Sequence, residues 1–362
     1  MTTSAPALDL HADVADLTAA LIDIESVSGN EAALADAIEA ALRKLDHLQV
    51  LRDGDAIVAR TNLGRAERVI LAGHLDTVPL PTVPGSRGTV PSSWQDSLLY
   101  GRGATDMKGG VAVQLALAAA LAEPTRDVTY VFYDHEEVQA SLSGLGRLVR
   151  NHPERLQGDF AILLEPTDGT VEGGCNGTIR LEASTVGKAA HSARAWMGEN
   201  AIHAAAEILV RLRDHEPATV TVDGLDYRES LNAVKIHGGT AGNVIPDHTV
   251  IEINYRFAPD KTPDDAEAYV RRLLDGFAVV RTDAAAGARP GLDHPAAADF
   301  VRAVGQAPKP KYGWTDVARF SELGIPAVNF GPGDALLAHT DNEHVSAAAV
   351  RACLAALRTW LA

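Results

Sequence analysis

Three short apolar runs limit what this chain can fold into: RVILAG at 68–73, DVTYVFY at 127–133 and FAILL at 160–164. Each has the length of a strand, and each lacks the apolar–polar alternation of a strand with one face in water. They read as strands buried on both faces. A shorter run at 56–60 is a fourth strand, and alanine- and leucine-rich helical stretches at 111–122 and 142–150 lie between the runs. Strands alternating with helices predict an α/β fold: a mixed, mostly parallel sheet flanked by helices. Upstream the segment reads as helices. Ser28-Gly29-Asn30-Glu31 has the form of a capping box, and Leu34, Ile38 and Leu42 follow at helical spacing.

The texture changes after Gly173-Gly174. Residues 178–185 alternate, 200–213 form an amphipathic helix, 218–222 are rich in β-branched residues, and 230–237 and 249–257 alternate again. A helix at 263–274 and a strand at 278–281 complete the order β-α-β-β-β-α-β, close to a split βαβ sandwich with one added strand. Beyond Gly287 the α/β texture returns, with an apolar segment at 325–330 and a closing helix at 347–361. The expectation is one α/β domain, 1–176 plus 289–362, interrupted by an inserted α+β domain of ferredoxin-like type at 177–288. A proline- and glycine-rich loop occupies 79–91.

At 362 residues the chain exceeds one small core. Its 32 Lys+Arg against 48 Asp+Glu give a net charge of -16, which repels phosphate backbones and argues against nucleic acid or an anionic membrane as partner. Cys175 and Cys353 are too few for a disulfide framework or a thiolate metal cage. The start, MTTSAPALDLHADVADL, has no basic stretch followed by an apolar one, and no apolar run is long enough to span a bilayer. A soluble cytoplasmic protein is expected.

The buried runs end in metal-seeking side chains. His74 closes the first, Glu136 and Glu137 follow the second, and Glu165 follows the third. A side chain at the carboxyl end of a buried strand faces the crevice where open α/β sheets bind ligands. Asp76, two residues past His74, can orient its imidazole. Glu136 and Glu137 are adjacent, so both serve one site only if the chain turns there. Asp106 lies in the glycine-dense stretch 101–110, which lacks the Gly-Lys-Ser/Thr ending of a phosphate loop and the spacing of a dinucleotide fingerprint. Near a helix N-terminus its carboxylate stays ionised. His339 comes last, in a loop before the closing helix. Two histidines and three carboxylates hold two metal ions if one carboxylate bridges, which leaves Glu136 to move protons.

Taken together, GHLDTVP at 73–79, GRGATDMKGG at 101–110, the Glu136-Glu137 pair, LLEPT at 163–167 and His339 resemble the aminoacylase and carboxypeptidase branch of the dinuclear zinc peptidases. Within it, AGNVIPD at 241–247, INYRFAPD at 253–260, KYGWTDVARF at 311–320 and GIPAVNFGPGD at 324–334 are most similar to actinobacterial desuccinylases of N-succinyl-L,L-2,6-diaminopimelate. The resemblance implies two Zn2+, with Co2+ as a substitute. His74, Asp106 and Glu165 would hold one, and Asp106, Glu137 and His339 the other. It implies Glu136 as general base, Asp76 as support behind His74, and His191 of the inserted domain as an oxyanion donor reaching across a homodimer. It implies that the inserted domain is a lid and dimerisation element, and that Asn243 and Arg256 contact a substrate carboxylate. Arg256 also fits that task by the shape of its guanidinium. Glu at position 165 implies a deacylase or carboxypeptidase, so N-acetylornithine or another N-acyl amino acid is the alternative substrate. Gly313-Trp314-Thr315-Asp316 and Asn200-Ala201 depart from the Gly-Gly-Thr-Ser-Asp and Asn-Pro of better-known desuccinylases.

Overall fold

A computed structural model describes residues 7–362. The first six residues, part of the opening stretch read above as carrying no leader, lie outside the described range. The chain divides into two compact units: Met1–Gly173 with Gly291–Lys309 and Arg319–Ala362, and Gly174–Pro290 with Pro310–Ala318. The segment 310–318 thus goes with the second unit, although its neighbours on both sides belong to the first.

The first unit is built on an eight-stranded sheet. In order across the sheet its strands are Gln49–Asp53, Ala56–Arg60, Asp127–Tyr133, Arg68–His74, Phe160–Leu163, Ala327–Asn329, Glu172–Gly173 and a short edge strand at Lys309. The four strands from Asp127–Tyr133 to Ala327–Asn329 are mutually parallel, and their outer neighbours Ala56–Arg60 and Glu172–Gly173 are antiparallel to them. All seven residues of Asp127–Tyr133 and all four of Phe160–Leu163 are buried, which is why these runs carry no polar alternation.

The Gly109–Ala120 helix is buried from Gly109 through Ala118. It shares one core with the Val14–Ile22, Ala32–Leu42 and Ala347–Leu361 helices and the sheet. A helix so enclosed is expected to be nearly all apolar, and VAVQLALAAA is, with the buried Gln114 as its one polar side chain. Gly110 is required here, because a Cβ would strike the carbonyl of Leu164. That contact brings the helix against the strand end that delivers Glu165. Within the same core Phe160, Phe300 and Trp360 pack as a ring cluster, with centroid separations of 6.1, 6.1 and 4.8 Å.

The capping box expected at Ser28–Glu31 does not form. The Ser28 hydroxyl donates to Asp76 Oδ2 at 2.7 Å, while Glu31 accepts from the Gly29 amide at 2.9 Å, so the Ala32–Leu42 helix starts without a side-chain cap. A three-stranded sheet of Ser93–Gln95, Leu98–Tyr100 and His344–Ser346 was not legible, since its strands are three residues each.

The second unit has a four-stranded antiparallel sheet in the order Ser230–Gly238, His248–Phe257, Gly177–Val186, Ala278–Ala285. In chain order that is 2-3-1-4, the ferredoxin-like arrangement. The Ala201–Arg213 and Pro263–Leu273 helices cover one face, burying Ile179, Leu181, Ile208, Ile251, Ile253 and Val270. The added strand Thr219–Val222 does not join this sheet. It pairs with Leu225–Arg228 in a hairpin whose turn, Asp223-Gly224, has φ of 48° and 85°. An Asp-Gly dipeptide is a standard tight-turn signal, so this hairpin was readable from the sequence.

Candidate metal centre

His74 is the last residue of its strand, 1% exposed, and is held at both ring nitrogens. Nδ1 lies 2.9 Å from the backbone carbonyl of Asp76, and Nε2 lies 3.0 Å from Asp106 Oδ1. A carbonyl can only accept, so Nδ1 carries a proton and Nε2 is the nitrogen left for a cation. Asp106 turns its other oxygen away: Oδ2 stands 3.4 Å from His339 Nε2, which is also 2.9 Å from Glu137 Oε1. One carboxylate thus faces a different histidine with each of its oxygens. Ligand atoms of His74, Asp106 and Glu137 lie within 4.8 Å of one another.

The His74 ring thus donates to the Asp76 backbone and not to the carboxylate expected to orient it, and the Asp76 side chain is engaged elsewhere. Its carboxylate is fully buried and accepts the amide N–H of Glu136 on Oδ1 at 2.9 Å and that of Glu137 on Oδ2 at 3.0 Å. Its nearer oxygen stands 3.7 Å from His74 Nδ1. The turn that lets two adjacent glutamates serve one site is therefore held by Asp76. His135, just before it, has φ of 59°, and its Nδ1 meets Asp134 Oδ2 at 2.7 Å. Asp134 in turn receives two guanidinium nitrogens of Arg147, at 3.2 and 2.6 Å. Sequence reasoning missed Ser28, Arg147 and this brace, because partners so far apart in the chain leave no periodic trace.

The electrostatics match the donor set. Burial pushes the His74 imidazolium down, but Asp106, Glu136 and Glu165 together hold its pKa well above the ordinary value. Hydrogen bonds to Asp106 and Glu137 raise His339 to about 10 despite partial burial. Burial acts to raise the Asp106 carboxyl, yet the imidazoles of His339 and His74 hold it below the usual carboxylate range. The carboxylates of this cluster demand positive charge at its centre, and in the metal-free chain the histidines supply it as protons. Imidazole nitrogens and carboxylate oxygens with that preference fit zinc-like divalent cations.

Among the other residues singled out in the sequence, Glu165 is 5% exposed. In the second unit His191 pairs with Val244, so Asn243 and His191 are brought close: the Ser192 amide donates to the Asn243 carbonyl at 2.9 Å. His191 Nδ1 accepts from the Ala193 amide at 3.1 Å, which leaves its proton on Nε2. Arg256 is half-buried, and burial together with neighbouring Arg180 lowers its pKa. Its Nε donates to Asn254 Oδ1 at 3.2 Å.

The pattern of peptidase family M20/M25/M40 matches residues 70–362. The chain belongs to this family. As a member of family M20/M25/M40 it is 52% identical over 357 residues to a Mycobacterium tuberculosis protein provisionally named succinyl-diaminopimelate desuccinylase DapE, covering 98% of this chain and 99% of the relative. It is 43% identical to the succinyl-diaminopimelate desuccinylase of Corynebacterium glutamicum, covering 98% of each. Its fold matches that of a Bacillus subtilis protein described as a dinuclear metal binding peptidase from the M20 family, with a TM-score of 0.67 at 17% identity over 97% of each chain. The family assignment agrees with the α/β fold and the metal-seeking cluster described above. Among the described residues no helix is long and apolar enough to cross a membrane.

Proposed function

We propose that this chain is a cytoplasmic two-zinc amidohydrolase that cleaves N-succinyl-L,L-2,6-diaminopimelate to succinate and L,L-2,6-diaminopimelate, a step in lysine and cell-wall precursor synthesis. The observation that carries the two-metal reading is Asp106, whose oxygens face His74 at 3.0 Å and His339 at 3.4 Å. That is the disposition of a bridging carboxylate. Glu165 would complete the His74 side and Glu137 the His339 side. Zinc suits these ligands, and Co2+ would substitute. When bound, such a pair polarises the amide carbonyl and makes water acidic enough to deprotonate near neutrality.

The remaining chemistry belongs to the chain. Glu136, fixed by its amide on Asp76, is the carboxylate left over from ligation and takes the proton of the attacking water. It then passes that proton to the leaving amine. His191 presents Nε2–H as a donor for the developing oxyanion, a contribution commonly worth about 3 kcal/mol. Asn243 and Arg256 would hold a substrate carboxylate. Both relatives at 43–52% identity carry a succinyl-diaminopimelate desuccinylase name, which favours the succinyl substrate.

His191 is read as acting across a homodimer. The second unit has a surface suited to a second copy. Among the described residues the outer strand Ser230–Gly238 is a sheet edge with no further strand paired to it, with Val234 and Ile236 exposed, and Trp196 and Met197 are 79% and 56% exposed. An open edge and exposed apolar side chains each favour pairing with another chain. On this reading the unit is both lid and dimerisation element.

The deciding measurement compares kcat/KM of the zinc-loaded protein on N-succinyl-L,L-2,6-diaminopimelate and on N-acetyl-L-ornithine. Strong preference for the succinyl substrate is expected. Preference for the acetyl substrate would keep the mechanism and overturn the substrate.

A further inference from the structure

The two loops that carry Asp106 and His339 are tied together beneath the cluster by a buried ion pair that neither ligation nor catalysis uses. Arg102 Nη1 donates to Glu343 Oε2 at 2.7 Å, with the two side chains 3% and 1% exposed. The other oxygen of Glu343 accepts two backbone amides, from Thr105 and from Asp106 itself, each at 3.1 Å. Arg102 Nη1 also reaches the carbonyl of Thr340, the residue after His339, at 3.3 Å. The Gly101 amide donates to the Glu343 carbonyl at 3.1 Å, and the Thr105 hydroxyl to the His344 carbonyl at 2.6 Å. One carboxylate therefore holds the backbone of Asp106, and its guanidinium partner holds the backbone next to His339.

We infer that Arg102 and Glu343 are positioning residues that set the separation of Asp106 and His339, and through it the affinity for the second of the two cations. This rests on the proposed assignment of Asp106 and His339 as metal ligands. The physical reason is rigidity. His339 is half-exposed on a loop with φ of 63°, and its ring contacts, to Glu137 at 2.9 Å and to Asp106 at 3.4 Å, are with other members of the cluster, so its backbone needs support from elsewhere. The buried pair supplies that support, and its side chains are anchored by three hydrogen bonds to backbone rather than by packing alone, with a fourth, main-chain bond from Gly101 to Glu343 beside them. Groups that orient metal ligands from behind typically contribute roughly 10–100-fold in metal affinity.

The test titrates the metal-free full-length protein with Co2+, following visible absorption for each site, in wild type, Glu343→Gln, Arg102→Met and Arg102→Lys. Removing one partner of a buried pair strands the other charge, so the double variant R102M/E343Q carries the same readout where a single variant does not fold. The expected result is a first cobalt bound as in wild type and a second bound at least roughly tenfold more weakly, with an altered spectrum, in E343Q, R102M and the double variant. Arg102→Lys, which keeps a donor and the charge, restores the second site. Wild-type affinity and spectrum for both ions in the folded loss variants overturns the inference and leaves the pair a fold brace only. His339→Ala separates the two levels. If H339A binds both ions as wild type does, the ligand assignment itself fails. If H339A loses the second ion and E343Q does not, only the positioning role fails.

Discussion

Asp76 and Glu136 are sixty residues apart, and the amide of one donates to the carboxylate of the other at 2.9 Å. The same carboxylate takes the Glu137 amide, so a single buried side chain converts the end of a strand into a turn that points two successive glutamates at one place. Asparagine at position 76 has only one acceptor oxygen, and its NH2 group would face an N–H. Asp76→Asn should therefore lower turnover by roughly 10–100-fold, with the Glu136-Glu137 turn displaced. Steady-state kinetics with metal content measured alongside checks this. Wild-type kcat in a metal-replete variant would remove Asp76 from the machinery.

Glu136→Ala should retain both metal ions and lose roughly 100–10,000-fold in kcat, the usual contribution of a general base. His191→Ala should be similarly impaired. If His191 acts across a dimer, the two inactive proteins unfolded and refolded together should regain part of the activity, because a mixed dimer contains one intact composite site. Heterodimers shown by mass spectrometry but devoid of activity would place His191 in its own chain's site or outside catalysis.

Metal binding should release protons. In the metal-free protein His339 is raised to about 10 from an ordinary 6.5 by Asp106 and Glu137. A folded pKa above the unfolded one contributes stability that is fully present below about 6.5 and lost as pH rises through about 10. Over that window the metal-free protein should lose thermal stability, while apparent metal affinity rises as fewer protons must be displaced. Calorimetric titration at pH 8 in buffers of differing ionisation enthalpy counts the protons. A heat independent of buffer would contradict the picture.

Phe300→Ala should destabilise the first unit by about 3–5 kcal/mol, since the ring is fully buried between Phe160 and Trp360. None of these three residues belongs to the metal cluster, so kcat/KM at low temperature should stay at the wild-type value. Urea unfolding of the metal-free protein, with activity assayed in parallel, separates the two effects.

The strands DVTYVFY, RVILAG and FAILL were legible because burial on both faces leaves a chemical signature in the residues themselves. His74, Glu136, Glu137 and Glu165 stood out for a related reason, since each closes or follows such a run, whereas Asp106 in its glycine-dense stretch and His339 in its loop carry no such mark. The Ser93–Gln95 strand and its partners were not legible, because three residues carry no period. The Asp223-Gly224 hairpin was missed although its signal was present.

The sequence by itself determined the sheet, the order of elements and the kinds of atom available to a cation, because these follow from local hydrophobicity and residue chemistry. Only the tertiary structure decided how those atoms are held. Ser28 serves Asp76 rather than a helix cap, Asp76 serves two amides as well as a histidine, and Arg102 finds Glu343 across more than two hundred residues. A buried polar group must find a partner wherever the fold brings one within about 3 Å, and that choice depends on distance in space, which no pattern along the chain records.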